Sequence, residues 1–185
     1  MKTLLVLVSV AGLATPAFAQ DASTTTAGTA ANGIRVGIQV DGAKITGDAA
    51  DLFGFGFGFG ARAGYELHMG QILLTPELAV NWDRWGVQLM GQSTDASAWI
   101  LGVMPGVRAG YAVGQVTPYL AFHIGLDHGG GGDMSTDKLG LNVGAGADIA
   151  LSKASIGPFV AYNIDFTDNT SLNWISFGIG GSLGL

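Results

Sequence analysis

Four sets of residues in this 185-residue chain have types that could carry chemistry. His123, Asp127, His128 and Asp133 are metal-ligand types within one short stretch. Their spacing matches no known ligand pattern, and the run of glycine before Asp133 gives coordination no rigid frame. His128, Asp133 and Ser135 supply a base, an acid and a hydroxyl of the kind used in loop-borne acyl transfer, without a local motif to hold the nucleophile. Gly58-Phe59-Gly60-Ala61-Arg62-Ala63 fits the permissive GxGxxG/A form, yet no helix follows to present its N-terminus to a pyrophosphate. These three sets predict no enzyme, no metal and no cofactor. The fourth set, Arg35, Arg62, Glu66, Glu77, Arg108, Tyr119 and Asp148, consists of polar side chains placed singly in apolar runs. Buried ions must be paired and hydrogen-bonded, so the expected chemistry is ion pairing in one shared interior.

The elements that could build such an interior read as strands. In Phe53 to Leu67, FGFGFGFGARAGYEL, every odd position is apolar or small and every even position is Gly, Arg or Glu, the period of a strand and not of a helix. Such a ribbon needs an apolar solvent on one side and a crowded interior on the other, and a transmembrane β-barrel supplies both. The alternation recurs in Ile34 to Asp41, Ile72 to Asp83, Ser97 to Tyr111, Val116 to Asp127, Leu139 to Leu151, Ile156 to Phe166 and Trp174 to Leu185. Most of these ribbons reach the roughly 9–11 tilted residues of a bilayer crossing. Tight connections at His68 to Gln71, Ala112 to Gln115 and Ser152 to Ser155 alternate with longer stretches read as loops: Gly42 to Asp51, Arg84 to Ala96, DHGGGGDMSTDK and TDNTSLN. The expected fold is all-β: an eight-stranded antiparallel up-and-down transmembrane barrel with short periplasmic turns and longer extracellular loops.

Composition limits the alternatives. Only 12% of residues are charged and 31 are glycine, but no apolar run beyond the start approaches the ~20 residues of a spanning helix. Regular alternation with few prolines argues against a disordered glycine-rich chain. MKTLLVLVSVAGLATPAFAQ has one basic residue, a short apolar run and Ala17-Phe18-Ala19, so a secretory signal peptide is expected over 1–19. A flexible polar leader over 20–33 and the barrel domain over 34–185 follow. An exported chain without cysteine has no disulfide framework and must rely on burial and closed hydrogen bonding. A net charge of −6 offers no clustered basic surface for nucleic acid.

An internal repeat supports the strand count. RAGY closes a strand at Arg62 to Tyr65 and at Arg108 to Tyr111, and past each short turn comes Thr75-Pro76 or Thr117-Pro118, with Gly157-Pro158 as a third instance. The repeating unit is a hairpin. RAGY before TPEL or TPYL, GLNVGAGADIAL before GPFVAY, and a last strand alternating to its end together resemble the small eight-stranded outer-membrane barrels of the OmpA/OmpX type, over about Ile34 to Leu185. The resemblance implies the outer membrane of a Gram-negative-type bacterium, a lipid-bathed monomer, and insertion by the barrel-assembly machinery. That family usually ends in an aromatic residue, whereas this chain ends in Leu185.

If the first tight turn joins Leu67 to Ile72, Arg62 faces Glu77; the same rule sets Arg108 opposite Tyr119 and Asp148 opposite Phe159. With Arg35 and Glu66 these residues would form a belt in the periplasmic half of the lumen. The belt reads as a plug that fills and orients the barrel, or alternatively as a gate whose pairs exchange, since inward glycines leave space for water. Tyr65 and Tyr111 at turn ends, with Trp82, Trp99 and Phe166 near loop ends, read as aromatic girdles. Trp85 and Trp174 break parity and are expected at loop bases. The functional expectation is a structural or surface-interaction protein with an unidentified loop partner; a narrow water or ion pore is the alternative. A secreted lipocalin-like binder is disfavoured, because its outer face would have to be charged.

Overall fold

Period-two alternation runs through eight strands: β1 Gly33–Thr46, β2 Phe53–Met69, β3 Ile72–Leu89, β4 Gln92–Tyr111, β5 Val116–Gly131, β6 Met134–Leu151, β7 Ala154–Phe166 and β8 Ser171–Gly184. The structure is a computed structural model that describes residues 32–89, 91–131, 134–166 and 171–185; the expected signal peptide, most of the leader and Asp133 lie outside these. Each strand pairs antiparallel with the next, and β1 pairs with β8 to close the ring. The Leu185 amide extends that seam, donating to the Ile34 carbonyl at 3.0 Å. Closure leaves no strand edge, so every strand finds two backbone partners.

The greasy face points out. Ile38, Leu120 and Leu126 are 71, 67 and 66% exposed, and Phe55, Phe57 and Phe59 are more than half exposed. Burying apolar surface is worth about 25 cal/mol per Å², so a water-soluble barrel would forgo a large term here that lipid supplies.

Register differs from expectation by two residues at each tight turn. The hairpins turn over Gly70-Gln71, Gly114-Gln115 and Ser152-Lys153, with Met69, Val113 and Leu151 paired directly to Ile72, Val116 and Ala154. Gly70, Gly114 and Ser152 have φ of +67°, +62° and +62°, the positive first centre that a type II′ turn requires. Consequently Arg62 faces Ala79, Glu77 faces Gly64, Arg108 faces Ala121, Tyr119 faces Gly110 and Phe159 faces Gly146. An even slip leaves every side chain on its own face while changing its neighbours.

At the other end the strands run further than expected. Much of Arg84 to Ala96 belongs to β3 and β4, β1 continues to Thr46 before a 3-10 helix at Gly47–Leu52, and β8 already includes Ser171 to Asn173. Asp127 to Gly131 is strand, not flexible loop. Those residues pair with β4 on one side and β6 on the other, and two-sided pairing compensates for the low strand preference of glycine.

Inside the ring, glycines on even strands receive bulky side chains from odd strands. Trp85 covers Gly56, Asp83 covers Gly58, Asn81 covers Gly60, His123 covers Gly106 and Tyr119 covers Gly146; a Cβ on any of these glycines would collide with the covering side chain. These positions seat neighbours, correcting the expectation that inward glycine leaves room for water. Alternating large and small inward residues is how a narrow barrel fills its axis.

Candidate functional site

The lumen is layered along its axis, and the layer nearest the tight turns is the ion-pair belt. Arg35 holds Glu66 bidentately from one nitrogen, at 2.7 and 2.5 Å, while its Nε donates to Ser182 Oγ at 3.0 Å. Arg108 reaches Glu77 at 3.4 Å and Asp148 at 3.3 Å, and its guanidinium lies 4.2 Å from the centre of the Tyr119 ring. Three guanidiniums thus share a layer with three carboxylates. Arg62 departs from its expected role: it donates to Gln39 Oε1 at 3.4 Å and forms no ion pair with Glu77, because the two-residue slip sets it opposite Ala79 instead. Arg62 and Glu77 line the same cavities of about 20 and 40 Å³, with space for only one or a few waters each.

Above the belt a polar relay crosses the lumen. His123 Nε2 stands 2.9 Å from Glu77 Oε1 and its Nδ1 3.2 Å from Asn142 Oδ1; Asn142 donates to Asn163 at 2.6 Å, and Asn163 donates to Ser176 at 3.1 Å. The relay gives the buried amides the partners they need.

A third layer consists of carboxylates. Asp41 and Asp83 converge on Gly58 from its two flanking strands, and Asp127 lies over both Gly102 and Gly140, the latter facing Asp165 in register. Asp83, Asp127 and Asp165 are buried. Among the described residues no Lys, Arg or His nitrogen lies within 4.0 Å of these four carboxylates, and Asp127 Oδ2 and Asp165 Oδ1 have no hydrogen-bond partner. These four acids lie outside the expected belt, and of them only Asp127 belongs to a set whose residue types could carry chemistry in the sequence. The layer's signal was a repeat at matching places on the odd strands: Gln39-Val40-Asp41, Asn81-Trp82-Asp83, Gly125-Leu126-Asp127 and Asn163-Ile164-Asp165.

The last layer is an apolar lid. Trp85 and Trp174 pack edge to face with ring centres 5.6 Å apart, against Ala43, Ile45 and Ile100. Both indoles are buried in the lumen rather than at loop bases: the strands continue past them and their positions keep the inward parity. The lid and belt separate a turn-end vestibule of about 950 Å³ from a loop-end vestibule of about 740 Å³.

The remaining candidates disperse. His123 and Asp127 face the lumen, whereas His128 projects outward and pairs with Asp137 at 2.6 Å rather than with Ser135. Among the described residues no group of three His, Cys, Asp or Glu could hold a metal. Gly58 to Ala63 lies within extended β2, without a helix after it. Of the aromatic residues, Tyr65 and Tyr111 face outward near turn ends and Phe166 ends β7, while Trp99 stands 5.4 Å from His128. Trp82 lies well before the end of β3, packed on Phe57 and Phe59 at 5.7 and 5.1 Å.

No family model and no curated protein matches this sequence. Solved structures do match. Neisserial surface protein A is 17% identical, with 82% of this chain and 97% of that one covered and a TM-score of 0.59. Ail, the attachment invasion locus protein of Yersinia pestis, solved with the heparin analogue sucrose octasulfate, is 16% identical over 82% of this chain and 99% of that one, at 0.54. The outer membrane enzyme PagL is 14% identical over the same shares, also at 0.54. At these identities the likeness is one of fold: the chain has the architecture of the small eight-stranded barrels that its motifs resemble.

Proposed function

We propose that this chain is an integral outer-membrane protein whose barrel is a closed anchor and whose loop end serves a structural or surface-interaction role. The observation that carries the reading is a ring greasy outside and plugged inside: between the vestibules the cavities at the belt hold only about 20 and 40 Å³. On β3 the outward residues are apolar from Ile72 to Trp82 and the next outward residue is Arg84, a span matching the roughly 9–11 residues of a crossing strand. Trp82, Trp99 and Phe166 would then form one aromatic girdle and Tyr65 with Tyr111 the other. In this reading the protein is a monomer without cofactor, catalytic residue or nucleic-acid partner, held by outer-membrane lipid after export and insertion by the barrel-assembly machinery. The similar structures include both an enzyme and a protein solved with a heparin analogue, so fold alone selects no activity.

The test is reconstitution. Purified protein is expected to require detergent, to migrate differently on gels before and after heating, and to give no channel steps in planar bilayers. Stable single-channel conductance from the unmodified barrel would replace this reading with that of a narrow pore, and solubility without surfactant would end both.

A further inference from the structure

The loop-end vestibule has the features of a ligand site. All eight strands contribute to its lining, and its volume of about 740 Å³ falls within the ~300–1,000 Å³ of small-molecule pockets. Its walls include Ile45, Phe53, Trp85, Ile100 and Leu172, while polar groups reach it from Asp165 and Lys138. Asp165 is 1% exposed, and its Oδ1 has no hydrogen-bond partner. Asp127 is also 1% exposed and has its own unpartnered oxygen, with Asp41 and Asp83 in the same layer. Lys138 faces Asp127 in register but makes no ion pair under 4.0 Å with it. Apolar walls therefore stand over carboxylates that outnumber the nearby ammonium.

We propose that this vestibule binds an organic cation with an apolar body, its charged head directed at Asp165 and its body against Trp85, Phe53 and Ile100. The chemistry selects that class. A neutral apolar molecule would fill the walls but leave the carboxylate unpaired, and an anion would add like charge to the acid layer. A cation supplies the missing counterion while its apolar body fills the walls. The site is independent of the surface role proposed above, because binding requires only the folded barrel.

Full-length barrel folded in a nonionic detergent is titrated with benzyltrimethylammonium, using calorimetry and tryptophan fluorescence. Benzyl alcohol and phenylmethanesulfonate serve as neutral and anionic counterparts. Saturable binding of the cation is expected, with the other two weaker by about tenfold or more, and Asp165→Asn weakening the cation by about tenfold. Asp95→Asn, an exposed change on β4, should leave affinity unaltered. Equal binding of all three probes, no saturable binding, or full affinity in a folded Asp165→Asn barrel would overturn the proposal. If that variant does not fold, the charge selectivity of the unmodified protein decides alone.

Discussion

The two halves of the lumen solve the problem of buried charge in opposite ways. Toward the tight turns, Arg35 and Arg108 reach Glu66, Glu77 and Asp148 directly, and Ser182 and Tyr119 add further contacts. Toward the loops, Asp41, Asp83, Asp127 and Asp165 gather beneath two tryptophans, and among the described residues no cationic nitrogen lies within 4.0 Å of them. The first arrangement suits a permanent seal, since each ion removed strands its partner. The second keeps acceptors available, held under an apolar lid near an open vestibule. Being luminal and charged does not define a role; what matters is whether the partner is already present.

Arg108→Ala should produce the largest effect. It takes the ion-pair partner from Asp148 and leaves Glu77 with His123 alone, and losing one partner of a buried pair costs about 3–5 kcal/mol. Urea unfolding in lipid vesicles should show that drop, with Arg108→Lys recovering only part of it; a loss no greater than that of a surface substitution would remove the belt as a seal. Next comes Trp85→Ala, where deleting a buried indole costs roughly 3–5 kcal/mol. Because lid and belt are separate plugs, neither Trp85→Ala nor Arg62→Ala should conduct alone, whereas the double variant should show bilayer conductance. Conductance in the lid variant by itself would mean that the belt does not seal.

The same chemical change should then have opposite signs in the two halves. Asp148→Asn weakens a charge-assisted contact to Arg108 and should cost about 1–3 kcal/mol. Asp127→Asn instead replaces one of several crowded, buried carboxyl groups that have no ion-pair partner to lose, and should be neutral or stabilising. Equal and destabilising shifts in both would mean that the two halves hold their carboxyl groups in the same way. Asp137→Ala should matter least. Its pair with His128 lies at the rim, 79 and 46% exposed, and exposed pairs contribute at most about 1 kcal/mol.

Strand number, the lipid-facing side and the inward placement of Arg35, Arg62, Glu66, Glu77, Arg108, Tyr119 and Asp148 were legible in the chain. A strand places alternate residues on opposite faces whatever its partner, so parity is a local property. Pairing was not legible. Whether Gly70, Gly114 and Ser152 adopt positive φ and turn the chain over two residues is decided by the twist of the flanking strands, and that choice separated Arg62 from Glu77. Nor could the chain in isolation indicate that Asp127 to Gly131 would be strand, because only neighbours on both sides hold those glycines extended. Trp85 and Trp174 followed inward parity all along, but they were recognisable as a lid only once β3 and β8 had been brought together around the ring. Local alternation determined which side each residue faces; closure of the barrel determined whom it meets, since register is a relation between segments far apart in the chain.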